Sequence, residues 1–327
     1  MFKMGKIRVA AITGALLGLS VIPLHSGAQT FPNRPIKLIV PFPAGGPSDI
    51  SARSIANGLQ EALGQPVVVE NKPGAGAIIG MEATLAAPPD GHTLLMASNV
   101  ISTGKYLYSS MKIDPLREFR SVVGVFKSPH LLVVAQSFPG NGLQDLIRMA
   151  KEKGDRMDYA SSGSGTMPHL GTEMFKQVTQ TNMTAIPYKG SAPALTAVMS
   201  GEVPVYFDIM MSAQGFVKSG KLKALGVTSL ERMPQFREVP TLHEQGLKDF
   251  ELYSWFGIVA RTGTPDAIVN KLNESINKVM QAPGFKERVT AQGSLPIGGS
   301  PQVFQKMIEK DNAVWGKVIK EAGIKFE

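Results

Sequence analysis

Three short stretches carry residue types that could hold a negatively charged guest. In "VPFPAGGPSDISAR", Val40 to Arg53, two prolines stiffen the exit from an apolar run, and Gly45 and Gly46 lack the Cβ atoms that keep a ligand off backbone amides. Ser48 or Asp49 is placed to cap the helix that follows. The first amides of a helix have no acceptor inside it, and its positive dipole end favours a carboxylate or phosphate. "YASSGSGTMPHLGTEMF", Tyr159 to Phe175, repeats the arrangement: Ser161, Ser162, Gly163, Ser164, Gly165 and Thr166 precede a helix expected from near Pro168 or His169. "IPYKGSAPAL" brings Tyr188 and Lys189 to the start of a third helix. "VYFDIMMS" ends a strand on Asp208, an acid that needs fixed donors or water if buried, beside Met210 and Met211 as an adaptable apolar wall.

These patterns favour binding over bond-making. His92, His130, His169 and His243 form no H-E-x-x-H pair, and no G-x-S-x-G elbow occurs. Ser162 or Ser164 with His169 as nucleophile and base rests on residue type alone. The absence of cysteine excludes disulfides, thiolate metal sites and cysteine nucleophiles, and no cofactor or metal site is expected. In "NKPGAGAIIG", Gly74, Gly76 and Gly80 run G-x-G-x-x-x-G, one residue too long for a dinucleotide fingerprint and one strand too late; a turn with a close backbone approach is expected instead.

The elements that must position these residues alternate, as in an α/β fold. Strands are predicted at Ile36–Val40, Val67–Asn71, Thr93–Ala97, Ser121–Val125, Leu131–Ala135, Met157–Ala160, Met183–Pro187, Val203–Asp208, Lys223–Val227 and Trp255–Ala260. Ile55, Leu59 and Leu63 recur at helical spacing, with Gly64 as the stop. Phe304, Met307, Ile308, Val314, Trp315, Val318 and Ile319 predict the core stripe of a long terminal helix. Chain crossings between two lobes are expected around Phe126–Pro129 and Tyr253–Gly257, which makes a hinge with a cleft. Each glycine-rich loop would then face the other from the carboxyl end of a strand.

The first residues carry Lys3, Lys6 and Arg8, an apolar run from Val9 to Leu24, and Ser26-Gly27-Ala28 as a small-residue cleavage pattern. This reads as a signal peptide, residues 1–28, cleaved after Ala28 for export to the periplasm. Removing its three positive charges takes the formal +8 to +5. The remaining basic residues are scattered among acids, so no nucleic-acid partner is required, although the field suits anionic solutes.

In order along the mature chain, "FPNRPIKLIVPFPAGGPSDISAR", "ALGQPVVVENKPGAGAIIG", "PPDGHTLLMAS", "YASSGSGTMPHL", "IPYKGSAPALTAVMSGEV", "SGKLKALGVTS", "VPTLHEQG" and "SWFGIVARTGTP" resemble the Bug-type, or TctC-type, periplasmic solute receptors of tripartite tricarboxylate transporters. The resemblance implies a type 2 periplasmic binding protein, a two-lobe Venus flytrap in which each lobe is a mixed sheet flanked by helices and two crossover strands form the hinge. Lobe 1 would comprise residues 29–128 and 253–327, and lobe 2 residues 129–252. It further implies a small carboxylate gripped by the loop Phe42–Asp49 through backbone amides and water, with Phe42, Ala44, Gly45, Gly46, Ser48 and Asp49 lining one side. Ser162, Gly163, Ser164, Gly165 and Thr166, with His169 and Tyr188, would line the other. Asp208 would fix bridging waters, and Ser98 and Asn99 would complete the lining. Delivery would be to the large and small subunits of a membrane permease; a ligand-presenting partner of a membrane kinase, or a secreted serine hydrolase, is the alternative. Ile209-Met210-Met211-Ser212 stands where many relatives carry Asn-Leu-Pro-Ser, and Met167 replaces a commonly polar residue. An aliphatic or aromatic ligand body is therefore expected.

Overall fold

The computed structural model describes residues 31–325, so the expected signal peptide lies outside the described residues. Ten strands form one sheet: β1 Ile36–Val40, β2 Val67–Asn71, β3 Thr93–Ser98, β4 Phe119–Ala135, β5 Asp158–Ser161, β6 Thr184–Pro187, β7 Val205–Ile209, β8 Leu222–Val227, β9 Tyr253–Arg261 and β10 Leu295–Gly298. The helices are α1 Pro47–Leu63, α2 Ile78–Leu85, α3 Val100–Leu107, α4 Pro115–Glu118, α5 Leu143–Lys153, α6 Met167–Thr179, α7 Ser191–Ser200, α8 Met210–Lys218, α9 Asp266–Gln281, α10 Pro283–Ala291 and α11 Pro301–Glu321. No described helix is long and apolar enough to cross a membrane.

The strand order β2-β1-β3-β9-β4-β7-β5-β6 places β4 at the centre of everything. The expectation of two separate strands at Ser121–Val125 and Leu131–Ala135 is corrected here. Lys127 to His130 continue the extended chain, because Phe119–Pro129 pair with β9 and His130–Val134 pair with β7 without a gap between the two ladders. The unexpected β10 contains Pro296 and only four residues. Proline lacks a ladder donor, and the strand accordingly lies off the main path, paired with β4 alone.

Both ends of α1 follow from its sequence. Gly64 closes it in the left-handed region, at φ 68°, and returns its N–H to the Gln60 carbonyl. Ile55 and Leu59 are fully buried, as a stripe at this spacing requires. On α11 the apolar stripe is narrower than expected. Phe304, Ile308, Trp315, Val318 and Ile319 are buried, whereas Val314 is 41% exposed because it falls one residue before Trp315, off the core face.

The close approach in "NKPGAGAIIG" is made by Gly80. A Cβ there would stand 2.6 Å from the Pro41 Cβ and 3.2 Å from the Lys72 carbonyl oxygen. Gly80 thus lets α2 press against the base of the loop that leaves β1. Gly80→Ala is expected to push Pro41 outward, at a cost of about 1–3 kcal/mol in unfolding free energy. A denaturant melt in which the variant matches the parent would refute this.

Candidate functional site

Register brings the carboxyl ends of the strands together at β4. On one side Ser98, the last residue of β3, pairs with Phe256, which pairs with Phe126 of β4. On the other, Ile209, the last residue of β7, pairs with His130 of β4. Four residues of strand separate these levels, roughly 13 Å at about 3.3 Å per residue. β1 runs parallel to β3, and β5 parallel to β7, so their exit loops point toward the same gap. The two loops also hold equivalent places. In the order β2-β1-β3 and again in β6-β5-β7, chain direction along the sheet reverses at the first strand of each half, which is the switch point where open α/β sheets bind ligands.

The loops are built alike. In the first, Gly46 is the N-cap residue of α1, with extended φ −78° and ψ 170°, and Gly45 before it is left-handed at φ 81°. In the second, Thr166 is the N-cap of α6, at φ −71° and ψ 159°, and Gly165 before it sits at φ 75°. In both, the third helical residue reaches back to that glycine: the Gly45 N–H donates to Asp49 Oδ2 at 2.9 Å, and the Gly165 N–H to His169 Nδ1 at 3.0 Å. The expectation that Ser48 or Asp49 caps α1 is therefore corrected. Proline at the first helical position needs no acceptor, and Asp49 works backward as half a capping box. What remains for a ligand are the first-turn amides of Ser48 and Asp49 in one helix and of Met167 and His169 in the other, which no residue of their own helices can accept from.

Asp49 is the keystone of its loop. Besides Gly45, it accepts from Asn71 Nδ2 at 2.9 Å and Arg53 Nε at 3.1 Å, and Asn71 also donates to the Phe42 carbonyl at 3.1 Å. The Arg53 guanidinium, helped by the Gly45 and Asn71 donors and opposed by desolvation, holds this buried carboxyl down at about 2. Asn71 can do this because it ends β2 opposite Val40. In the second loop, Thr166 Oγ1 donates to the Gly163 carbonyl at 2.7 Å, and Ser162 Oγ donates to Thr166 Oγ1 at 3.3 Å. His169 is buried, and burial lowers its imidazole pKa, with Glu173 opposing and Lys176 adding; the neutral ring is what lets Nδ1 accept from Gly165. With that nitrogen so used, His169 is held as a brace of the loop rather than a base aimed at Ser162 or Ser164.

Phe42, Ala44, Gly45, Gly46 and Ser162 to Thr166 reach solvent, Ala44, Gly45 and Ser164 being exposed, whereas Ser48 and Asp49 are buried. Other expected site residues are committed elsewhere. Asn99 is buried, donating to Asp311 Oδ2 at 2.9 Å and accepting the Trp255 N–H at 3.0 Å, a cross-tie between β3, β9 and α11. Ser98 is buried beside it. The Tyr188 hydroxyl donates to Glu202 at 3.0 Å, although its backbone N–H ties the chain to Ser161. Met167 and Met210 are buried in hydrophobic cores, so Met210 takes no part in the expected apolar wall, while Met211 beside it is half-buried. The reason for Met210 is local: the strand ends at Ile209, and the first residue of α8 turns back under the sheet against Gly293. Apolar surface near the first loop comes instead from half-buried Phe42, whose ring stands edge-on to Phe256 at 6.3 Å.

Asp208 is fully buried. Its Oδ1 accepts from Ser191 Oγ, the first residue of α7, at 2.7 Å, while Oδ2 has no hydrogen-bond partner. Ser191 Oγ also lies 3.4 Å from the Tyr206 hydroxyl, which is within hydrogen-bonding reach of Ser162. Burial pushes the Asp208 carboxyl up to about 7, with Ser191, Tyr206 and the Ile209 amide opposing. His130 is equally buried on β4, sharing a hydrogen bond with Ser254 of β9 at 3.3 Å, and burial drives its imidazole down to about 3. A separate cavity of about 230 Å3, lined among others by Lys127, Tyr253, Trp255, Asp311 and Trp315, includes neither loop.

The model of the tripartite tricarboxylate transporter family receptor, TctC, matches residues 51–324. The chain belongs to the TctC family. Protein BugT of Bordetella pertussis is 35% identical to this TctC protein over 326 residues, 99% of this chain and 100% of that one. A "UPF0065 protein in tcbD-tcbE intergenic region" of Pseudomonas sp. strain P51 is 37% identical over 294 residues, 90% of this chain and 88% of its own. Among solved structures, R. palustris Rpa4515 with adipate superposes with TM-score 0.82 at 35% identity, covering 90% of this chain and all of that one. MatC from Rhodopseudomonas palustris with bound malate gives 0.78 at 30% identity, covering 88% of this chain and all of its own. This TctC protein therefore has the two-lobe fold of the periplasmic solute-binding proteins, a receptor family rather than an enzyme family.

Several residues that build the TctC site escaped the sequence reading. Ser191 and Tyr206 were visible only as a serine after Gly190 and a tyrosine two before Asp208. A hydroxyl opening a helix beside a buried acid was the available signal. Arg53 and Asn71 gave none, since their meeting with Asp49 depends on the pairing of β1 with β2.

Proposed function

We propose that this TctC receptor captures a small carboxylate between a lobe of residues 29–128 and 253–327 and a lobe of residues 129–252. Acting in the periplasm after loss of residues 1–28, it hands the solute to the large and small subunits of a membrane permease. The observation that carries this reading is the repeated loop. Two helix starts of the same build, each offering first-turn amides, follow strands at equivalent sheet positions whose carboxyl ends point toward each other. A ligand bonded to both loops at once favours the closed arrangement over the open one, which is the differential affinity closure requires. The relatives solved with adipate and with malate support a carboxylate. The loop of Phe42, Ala44, Gly45, Gly46, Ser48 and Asp49 would take one end, and that of Ser162, Gly163, Ser164, Gly165 and Thr166 the other. Phe42 supplies an apolar wall that suits an aliphatic body.

Thermal melting with adipate, malate, hexanoate and matched neutral amides tests the proposal. A carboxylate at about one hundred times its Kd should add about 2.7 kcal/mol of stability, while the amides add none. Equal stabilisation by the amides, or none by any carboxylate, would defeat it.

A further inference from the structure

We propose that the second-lobe loop accepts a ligand carboxylate only together with a proton taken up by Asp208, so that capture of a dicarboxylate is proton-linked and capture of a monocarboxylate is not. This rests on the carboxylate reading above and specifies the ionic form the site accepts.

The argument begins with a carboxyl group that is underserved. Asp208 is fully buried, one oxygen has Ser191 as donor, and the other has none. An ionised carboxylate in such a place needs several donors, and a protonated one needs fewer. Tyr206 links the group outward, its hydroxyl lying 3.4 Å from Ser191 Oγ and within reach of the loop residue Ser162. A carboxylate seated against Ser162 and the α6 amides would therefore stand one hydroxyl away from Asp208. Two negative charges so placed in a closed cleft cannot both persist, and the buried one takes the proton. That proton comes from the medium on binding and returns to it on release.

Among the described residues no cation pairs with Asp208 to relieve this repulsion. On its own strand Asp208 is neighboured by Tyr206, and across the sheet by Leu131 of β4, while His130 alternates to the opposite face and is neutral. The segment Ser191–Ser200 contains no ionisable side chain; Tyr188 and Lys189 precede it, and Glu202 follows. On α8 the first ionisable residue is Lys218, at its far end. On β5 the nearby residues are Tyr159 and Ser161, and Lys176 of α6 is bound to Glu173 at 2.9 Å. The raised pKa of Asp208 sets the range in which the linkage shows, near neutrality.

Titration calorimetry in two buffers of different ionisation enthalpy counts the protons. With adipate, uptake should be near zero at pH 6, where Asp208 already carries its proton, and approach one at pH 8. Adipate affinity should then fall by close to tenfold per pH unit above neutrality. Hexanoate should take up none at either pH. In Asp208→Asn the uptake and the pH dependence for adipate should vanish, and Ser191→Ala should keep both with a shifted midpoint. Adipate binding without proton uptake between pH 6 and 9, or pH dependence surviving in Asp208→Asn, would overturn the proposal. Failure of adipate, malate and hexanoate all to bind would remove the carboxylate reading itself, and this inference with it.

Discussion

Asp208→Asn should become more stable relative to the parent as pH rises, by roughly 2–4 kcal/mol between pH 4 and pH 8. Burial pushes the folded-state carboxyl of Asp208 up to about 7, well above the ordinary aspartate value of 3.8. Between those values the folded protein holds a proton that the unfolded chain has released, so parental stability declines through this window and levels off above it. Across the roughly three pH units between those values, about 1.4 kcal/mol per pH unit sets a ceiling near 4 kcal/mol. Asparagine cannot ionise, keeps an oxygen for the Ser191 hydroxyl, and feels none of this slope. Urea melts of both proteins at pH 4, 6 and 8 would measure the gap. Parallel curves across that range would mean that Asp208 is solvated or already paired in the folded protein. Above pH 7 the variant should also bind adipate more tightly than the parent does, since its neutral amide needs no proton before a dianion can enter.

Asp49→Ala should weaken carboxylate binding by roughly 10- to 100-fold, and far more than Asp49→Asn does. Removing the carboxylate leaves the Gly45 N–H, Asn71 Nδ2 and Arg53 Nε without their acceptor. The left-handed Gly45 is then no longer pinned, and the first-turn amides lose their preorganisation, worth about 1.4–2.7 kcal/mol at those fold-changes. Asparagine keeps one acceptor for Gly45 or Asn71 and should fall between. Because the carboxyl pKa is depressed to about 2, the contribution of Asp49 to stability is complete above about pH 4 and is lost only as pH falls through 2. The loop should therefore bind without attenuation from this group down to pH 4. Equal affinities for alanine and aspartate variants would show that the loop holds its shape unaided.

Much of this was legible from the chain alone, and the reasons divide cleanly. The stop of α1 was written locally in Gly64, and the strand sites in β-branched runs, because nearest-neighbour sterics decide them; its start was read late, at Ser48 or Asp49 rather than at Pro47. The glycine-rich loops were legible as helix-entry loops for the same reason. What was not legible depends on partners distant in sequence. Asn71 meets Asp49 across 22 positions, Asn99 meets Asp311 across 212, and Met210 finds the core only because β10 brings Gly293 beneath it. Asn99 illustrates the cost of reasoning from position along a strand: a polar residue at a carboxyl end can face the gap or, as here, tie the sheet to a helix. The continuity of β4 through Phe126–Pro129, expected as a chain crossing between two strands, was hidden because Pro129 is tolerated where a strand passes from one set of neighbours to another.

The continuity of β4 has a mechanical consequence. A ribbon hydrogen-bonded on both flanks above and below residues 127–130 has no slack joint, so reorientation of the two halves is spread as small torsions over a few peptide units, with the ladders kept intact. Such a spring would store strain when displaced and give it back, which would favour return of the two halves to their resting arrangement once a guest departs.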